Sequence, residues 1–198
     1  MADSLQALRD ELLVNAGPVR YNLGCGQNAQ EDGFTGVDFY AEGEGIVKAD
    51  LFSYPWPFAD ESVDLFRSSH FLEHVPDWDA HFREIYRCLK PGGSYDACGP
   101  YYLSARAHQD PDHKQPLLLE RFAYLSQEWR RRQKLEHYGA VVNFAIVGWF
   151  ELLNEDFRDQ GYDESFLNFH KRHSFNVIDD CAVVLRKEPL LPQGEKHA

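Results

Sequence analysis

Apolar positions follow two rhythms along the first hundred residues. From Ser4 to Asn15, Leu5, Leu8, Leu12 and Leu13 recur near i, i+3/i+4 and i+7/i+8, with Asp10 and Glu11 off that face and Gly17-Pro18 behind. This spacing predicts an amphipathic opening helix. Short apolar runs replace it from Val19 to Leu23, Phe34 to Tyr40 and Gly45 to Leu51, each closing on a Gly or an Asp, and they predict three strands. Ser62 to Ser68 predicts a fourth. Helical spacing returns with Trp78, Phe82, Ile85, Tyr86 and Leu89, and Lys90-Pro91-Gly92-Gly93 stops that helix. Ser94 to Cys98 then predicts another strand.

The second half is less regular. Tyr101 to Pro116 is an irregular stretch broken at Asp110-Pro111 and Gln115-Pro116, of a length that is usually functional. Leu117 to Tyr138 reads as helix. Val141 to Leu152 and Cys181 to Arg186 read as the last strands, separated by the polar, aromatic-dotted segment Asn154 to Asp180, and the tail from Pro189 reads as frayed. Strands alternating with helices predict an α/β fold, a mostly parallel sheet with helices on both faces. With no repeat, linker or low-complexity tract, residues 1–198 read as a single domain, 1–100 forming one half and 101–198 the other.

Composition narrows the partners. The 198 residues hold 20 Lys+Arg against 32 Asp+Glu, a formal charge of −12. Nucleic acids and anionic membranes are bound through clustered cations, so neither is an expected partner. A chain this long buries enough surface to fold without disulfides or structural zinc. Cys25, Cys88, Cys98 and Cys181 lack C-x-x-C spacing and read as reduced thiols. No spanning apolar run or signal peptide is evident, which predicts a cytoplasmic protein.

The chemistry concentrates at strand ends. A strand closing on Gly24-Cys25-Gly26 lets the backbone approach a ligand closely. Asp38 could accept both hydroxyls of a ribose, and Asp50 the amino group of an adenine. A dinucleotide fingerprint would add a third Gly and place its acid about 20 residues on. Here that Gly is missing and the acid arrives 12 residues after Gly26 (38 − 26). No Gly-Lys-Ser/Thr follows either, so a cofactor with adenosine but no phosphates fits.

Several ordered motifs resemble the class I S-adenosylmethionine-dependent methyltransferases, in the small branch with a Leu-Gly-Cys-Gly first loop. They are Asn22-Leu23-Gly24-Cys25-Gly26, Gly36-Val37-Asp38, Ala49-Asp50-Leu51, Trp56 to Asp64, Phe71-Leu72-Glu73-His74-Val75 and Arg87 to Gly93. The resemblance covers Val19 to Pro100. It implies a Rossmann-like, doubly wound, seven-stranded sheet with the last strand antiparallel, and S-adenosyl-L-methionine as cofactor. Gly24 and Gly26 would admit the methionine part, Asp38 the ribose, and Asp50 with Leu51 the adenine. Ser68 and Ser69 would touch the cofactor from strand four, and the neighbouring Tyr21, Cys25 and Phe39 complete the expected set. Asn22 stands where many relatives carry an acid.

The implied activity is methyl transfer to an O or N nucleophile of a small-molecule acceptor, by a monomer or homodimer. The alternatives are a cyclase or lyase acting on the same cofactor, or a noncatalytic cofactor-binding partner protein. A hydroxyl or ammonium acceptor needs a base, and an imidazole suits neutral pH. His113 and His70 are the expected bases; Tyr101, Tyr102 and Asp110 are expected to bind acceptor. Glu73 and His74 read instead as packing and cap residues of their signature. His108 to Lys114 lacks a familiar metal-ligand spacing, so no metal is expected. The run Arg130-Arg131-Arg132 reads as a solvated helix face.

Overall fold

The structure, a computed structural model, describes residues 18–28, 33–138, 141–158 and 160–192. The expected opening helix lies outside the described residues. Among the described residues seven strands form one sheet: β1 (Arg20–Leu23), β2 (Thr35–Asp38), β3 (Ile46–Lys48), β4 (Val63–Ser69), β5 (Leu89–Pro100), β6 (Phe144–Leu153) and β7 (Ile178–Lys187). Their order is β3-β2-β1-β4-β5-β7-β6. β1 to β5 pair in parallel, while β7 is antiparallel to both β5 and β6, so β7 alone runs against the rest. This is the Rossmann-like, doubly wound arrangement the motifs imply.

The chain works outward from β1 to β3, then returns to lay β4 on the other side of β1. That reversal opens a crevice beyond the carboxyl ends of β1 and β4, where sheets of this kind receive ligands. Gly24 to Gly26 and Ser69-His70 stand at that crevice.

The pleat sends Tyr21 and Leu23 of β1, Phe66 of β4, Tyr95 and Ala97 of β5, and Val183 and Leu185 of β7 into one core, where all are buried. Helix α1 (Trp78–Cys88) adds Phe82, Ile85 and Cys88 to it. Asp77 starts α1 by accepting the N–H of Ala80 at 3.0 Å. The Trp56-Pro57-Phe58 approach to β4 is tied to α1 by Arg87, which donates to Phe58 O (2.9 Å) and Trp56 O (3.3 Å) while gripping both oxygens of Glu84. Glu84 in turn accepts the N–H of Trp56 at 2.8 Å. His81 is fully buried among Trp56, Phe71, Phe82 and Tyr95, and among the described residues neither ring nitrogen has a hydrogen-bond partner. Burial pushes its pKa down to about 3.

Three segments differ from the sequence expectation. α1 passes directly into β5 at Leu89, without a loop at Lys90 to Gly93, so β5 is longer than Ser94 to Cys98. After the short α2 (Arg106–Gln109), the expected helix Leu117 to Tyr138 is broken into α3 (Leu119–Ala123), α4 (Gln127–Arg132) and a 3-10 turn at Glu136–Tyr138. The break falls at Ser126, whose side chain caps the N–H of Trp129, and at Leu125, whose carbonyl is taken by the N–H of Phe144. Arg130 is not on a solvated face: it is buried and donates to the carbonyls of Tyr124 and Val142. Finally, Asn154 to Asp180 contains α5 (Glu164–His173), capped by Asp163. The four cysteines are free, Cys88 and Cys181 buried. Among the described residues no helix is long and apolar enough to cross a membrane.

Candidate active site

The first half of the crevice is a backbone cradle organised by Asp38. Its Oδ2 accepts the N–H of Gly26 (2.9 Å), and its Oδ1 accepts those of Tyr40 (2.7 Å) and Ala41 (3.0 Å). Burial raises its pKa, but these N–H donors outweigh that effect and hold the carboxyl below its ordinary value. Gly24 and Gly26 have φ of +63° and +59°. A Cβ on Gly24 would lie 2.2 Å from Phe71 Cδ2, whereas one on Gly26 meets nothing within 4 Å. Glycine at 24 therefore makes room for the Phe71 ring; at 26 it serves the left-handed turn and leaves the cradle open.

Asp50 closes a tight turn, accepting Phe52 N–H (2.9 Å) and Ser53 Oγ–H (2.6 Å), and the Ser53 bond leads the lowering of its pKa. Leu51 is buried, and its carbonyl takes the Trp56 indole N–H at 3.1 Å. Phe39 and Phe52 stand half-exposed after Asp38 and Asp50. Cys25 is a neutral thiol, pushed up to about 11 by burial and by the charge of Asp38. Tyr21 packs in the core 4.7 Å from the Phe58 ring. The hydroxyl of buried Ser68 is shared with Tyr95 at 2.8 Å, so the Ser68 side chain faces the core, while Ser69 is exposed at the edge.

Beyond β4 and β5 lies a cavity of about 460 Å³, lined by His70, Glu73, His74, Pro100, Arg106, Gln109, Asp110 and His113. His70, with φ of +52°, turns its ring back over the 3-10 turn Leu72–His74. Its Nδ1 is 3.4 Å from Glu73 Oε1 and its Nε2 3.7 Å from Asp180 Oδ2. Glu73 first and Asp180 next raise its pKa against the opposing effect of burial. Arg106 is held by Asp180 (2.8 Å) and Asp179 (3.6 Å). The loop carrying His113 is docked from below, since the N–H groups of Lys114 (2.7 Å) and Gln115 (3.1 Å) both donate to Glu73 O.

Of the residues expected to act on acceptor, His70, Asp110 and His113 therefore meet in one cavity. Tyr101 and Tyr102 are outside its lining. They form an edge-to-face pair at 4.8 Å, and their N–H groups donate to Asp179 O and Leu117 O. Glu73 and His74, expected to pack and cap, are instead part of the lining. Their signal was the Leu-Glu-His signature itself. Gln109 lay within the His108 to Lys114 cluster, whereas Arg106 gave no sequence signal.

A sheet of this order, with its crevice at the switch point, is the fold that S-adenosylmethionine-dependent methyltransferases share. Residues 22–95 match the family model described as a methyltransferase domain, which with the fold implies S-adenosylmethionine as the cofactor. A sterol 24-C-methyltransferase of Pneumocystis carinii is 28% identical over 126 residues, 52% of this chain and 33% of the relative. The sterol 24-C-methyltransferase of Aspergillus fumigatus is 32% identical over 81 residues, 38% of this chain and 21% of the relative. The chain thus matches a third or less of the length of these curated relatives. Among solved structures, an S-adenosylmethionine-dependent methyltransferase from Archaeoglobus fulgidus shares the fold with TM-score 0.54 and 22% identity, covering 94% of each chain. The YcgJ protein from Bacillus subtilis does so with TM-score 0.53 and 14% identity, over 96% of this chain and all of the other.

Proposed function

We propose that the chain transfers a methyl group from S-adenosylmethionine to an oxygen or nitrogen of a small, polar acceptor held in the cavity beyond β4 and β5. The observation that carries this reading is the lining: seven of its eight residues are polar or charged, Pro100 being the exception. The curated relatives are named for a sterol carbon. A lining of imidazoles, carboxylates and a guanidinium favours a hydrogen-bonding acceptor over a sterol chain, because buried polar groups left without partners cost binding energy.

On this reading the Gly24–Gly26 cradle, Cys25, Asp38, Phe39, Asp50, Leu51 and Ser69 surround the cofactor, with Tyr21 and Ser68 supporting them from beneath. Residues to about 100 hold the cofactor, and the later segments form the acceptor side. Methyl transfer is an in-line displacement, so the main contribution is to hold the nucleophile roughly 3 to 3.5 Å from the methyl carbon. Of the two imidazoles, His70 takes the acceptor's proton: it is half-exposed at the crevice, while His113 is largely buried.

The test is transfer of labelled methyl to a panel of hydroxyl, amine and sterol acceptors. Transfer to a hydroxyl or amine is expected; labelling of the sterol alone, or of none, overturns the reading. His70→Asn should lower turnover on the accepted compound roughly 100-fold or more, leaving affinity for S-adenosylhomocysteine within about twofold of the parent. Turnover near the parent's would remove His70 from that role.

A further inference from the structure

Glu73 is 1% exposed, and among the described residues neither carboxylate oxygen has a well-formed hydrogen bond, His70 Nδ1 standing 3.4 Å from Oε1. A buried carboxylate is retained where something neutralises it, because an unpaired one is among the costliest groups to remove from water. Arg106, the nearby guanidinium, is taken by Asp179 and Asp180, and Lys114 by Asp112 at 2.7 Å. The groups that do face Glu73 are imidazoles. His70 Nδ1 lies 3.4 Å and His113 Nε2 4.0 Å from Oε1; the His70 ring also faces Asp180, whereas the His74 ring packs edge-on against His113 at 4.8 Å. One ligand-type atom from each of Glu73, His74 and His113 lies within 4.8 Å of the others.

The surroundings of the two rings have the pattern that metal-bound histidines show. His113 Nδ1 is 3.2 Å from Ala107 O, and His74 Nδ1 is 3.5 Å from Asp112 Oδ2. A carbonyl or carboxylate on one nitrogen fixes the proton there and leaves the other nitrogen's lone pair to ligate. Space for the carboxylate is provided by Gly99, where a Cβ would come within 2.9 Å of Glu73 Oε2. The two N–H bonds from Lys114 and Gln115 to Glu73 O fasten the segments bearing the ligands to each other.

We propose that Glu73, His74 and His113 bind a first-row divalent transition-metal ion such as zinc, with the polar cavity providing the open coordination position. Two imidazoles and one carboxylate suit such ions, whereas magnesium and calcium select oxygen ligands. Tetrahedral zinc at roughly 2.0 to 2.1 Å from its ligands places them roughly 3.3 Å apart. The three side chains close by about 1.5 Å to reach that geometry. Metal binding here stands without the methyl-transfer reading. If both hold, an acceptor oxygen at the open position releases its proton more readily.

The test uses the full chain, stripped with a chelator and free of cofactor and acceptor. Titration with Co2+ should give one equivalent bound with the visible absorption of a four- or five-coordinate ion, and Zn2+ should displace it. Mg2+ should bind at least 1,000-fold more weakly. Glu73→Gln, nearly isosteric, and His74→Ala, at a half-exposed position, should each weaken Co2+ binding 100-fold or more, with circular dichroism confirming the fold. His108→Ala, which removes a nearby imidazole on α2 outside the set, should bind as the parent does. Substoichiometric Co2+, a preference for Mg2+, or parental affinity in either ligand variant overturns the site.

Discussion

Two glycines two positions apart in one loop serve different ends. At Gly24 a methyl group would run into the Phe71 ring, which is buried and stacked on Phe52 at 5.7 Å and so has little room to yield. Overpacking adds to the left-handed backbone penalty there, so Gly24→Ala should cost about 2 to 5 kcal/mol. Gly26→Ala carries the backbone penalty alone, about 1 to 2 kcal/mol. Denaturant unfolding of both variants checks the ranking, and Phe71→Ala should recover part of the Gly24→Ala loss but none of the Gly26→Ala loss. Asp38 also has two tasks, since its carboxylate holds the loop it is proposed to share with a ribose. Asp38→Ala would free three N–H groups, so Asp38→Asn is the cleaner probe. It should reduce affinity for S-adenosylhomocysteine about tenfold or more by calorimetry, with the melting temperature nearly kept; equal affinity would rule out a ribose contact.

At the scale of elements, α1 carries a built-in acid sensitivity. His81 is neutral in the folded protein, with a pKa near 3, against an ordinary value of 6.5. The unfolded chain therefore binds the proton first as pH falls, so this contribution is complete above about pH 6.5 and is lost progressively toward pH 3. The full loss is of order 5 kcal/mol. His81→Leu should flatten the stability profile between pH 7 and pH 4.5 in thermal unfolding; an unchanged slope would remove His81 as its source. The N-cap is a smaller matter, with Asp77→Ala expected to cost about 1 kcal/mol.

The same elements mark how far the sequence could be read. Strand ends at Gly24, Asp38, Asp50 and Ser69 were legible because a glycine or carboxylate closing an apolar run is a local signal. The cavity was not, because Glu73 and His113 are 40 positions apart and are joined by N–H bonds to a backbone carbonyl, which no side-chain pattern records. The broken helix after Leu117 was hidden for a similar reason: Arg130 satisfies carbonyls from inside, and its charge read as solvent exposure. α5 was missed because its rings, Phe166 and Phe169, are exposed and mark no buried stripe.

Across the whole molecule, the acid surplus and the fold act on different partners. The charge of −12 predicts no retention on DNA at physiological salt, which a nucleic-acid column checks. The order of the sheet has another effect. Among the described residues β6 pairs only with β7, which follows it in the chain and is inserted between β5 and β6. During synthesis β6, with Phe144, Ile146, Trp149, Phe150 and Leu152, leaves the ribosome before any strand exists to receive it. An apolar strand awaiting its partner is a template for association with other chains. Nascent chains stalled before residue 178 should recruit chaperones and be cut readily within 144–153, and both effects should vanish once β7 has emerged.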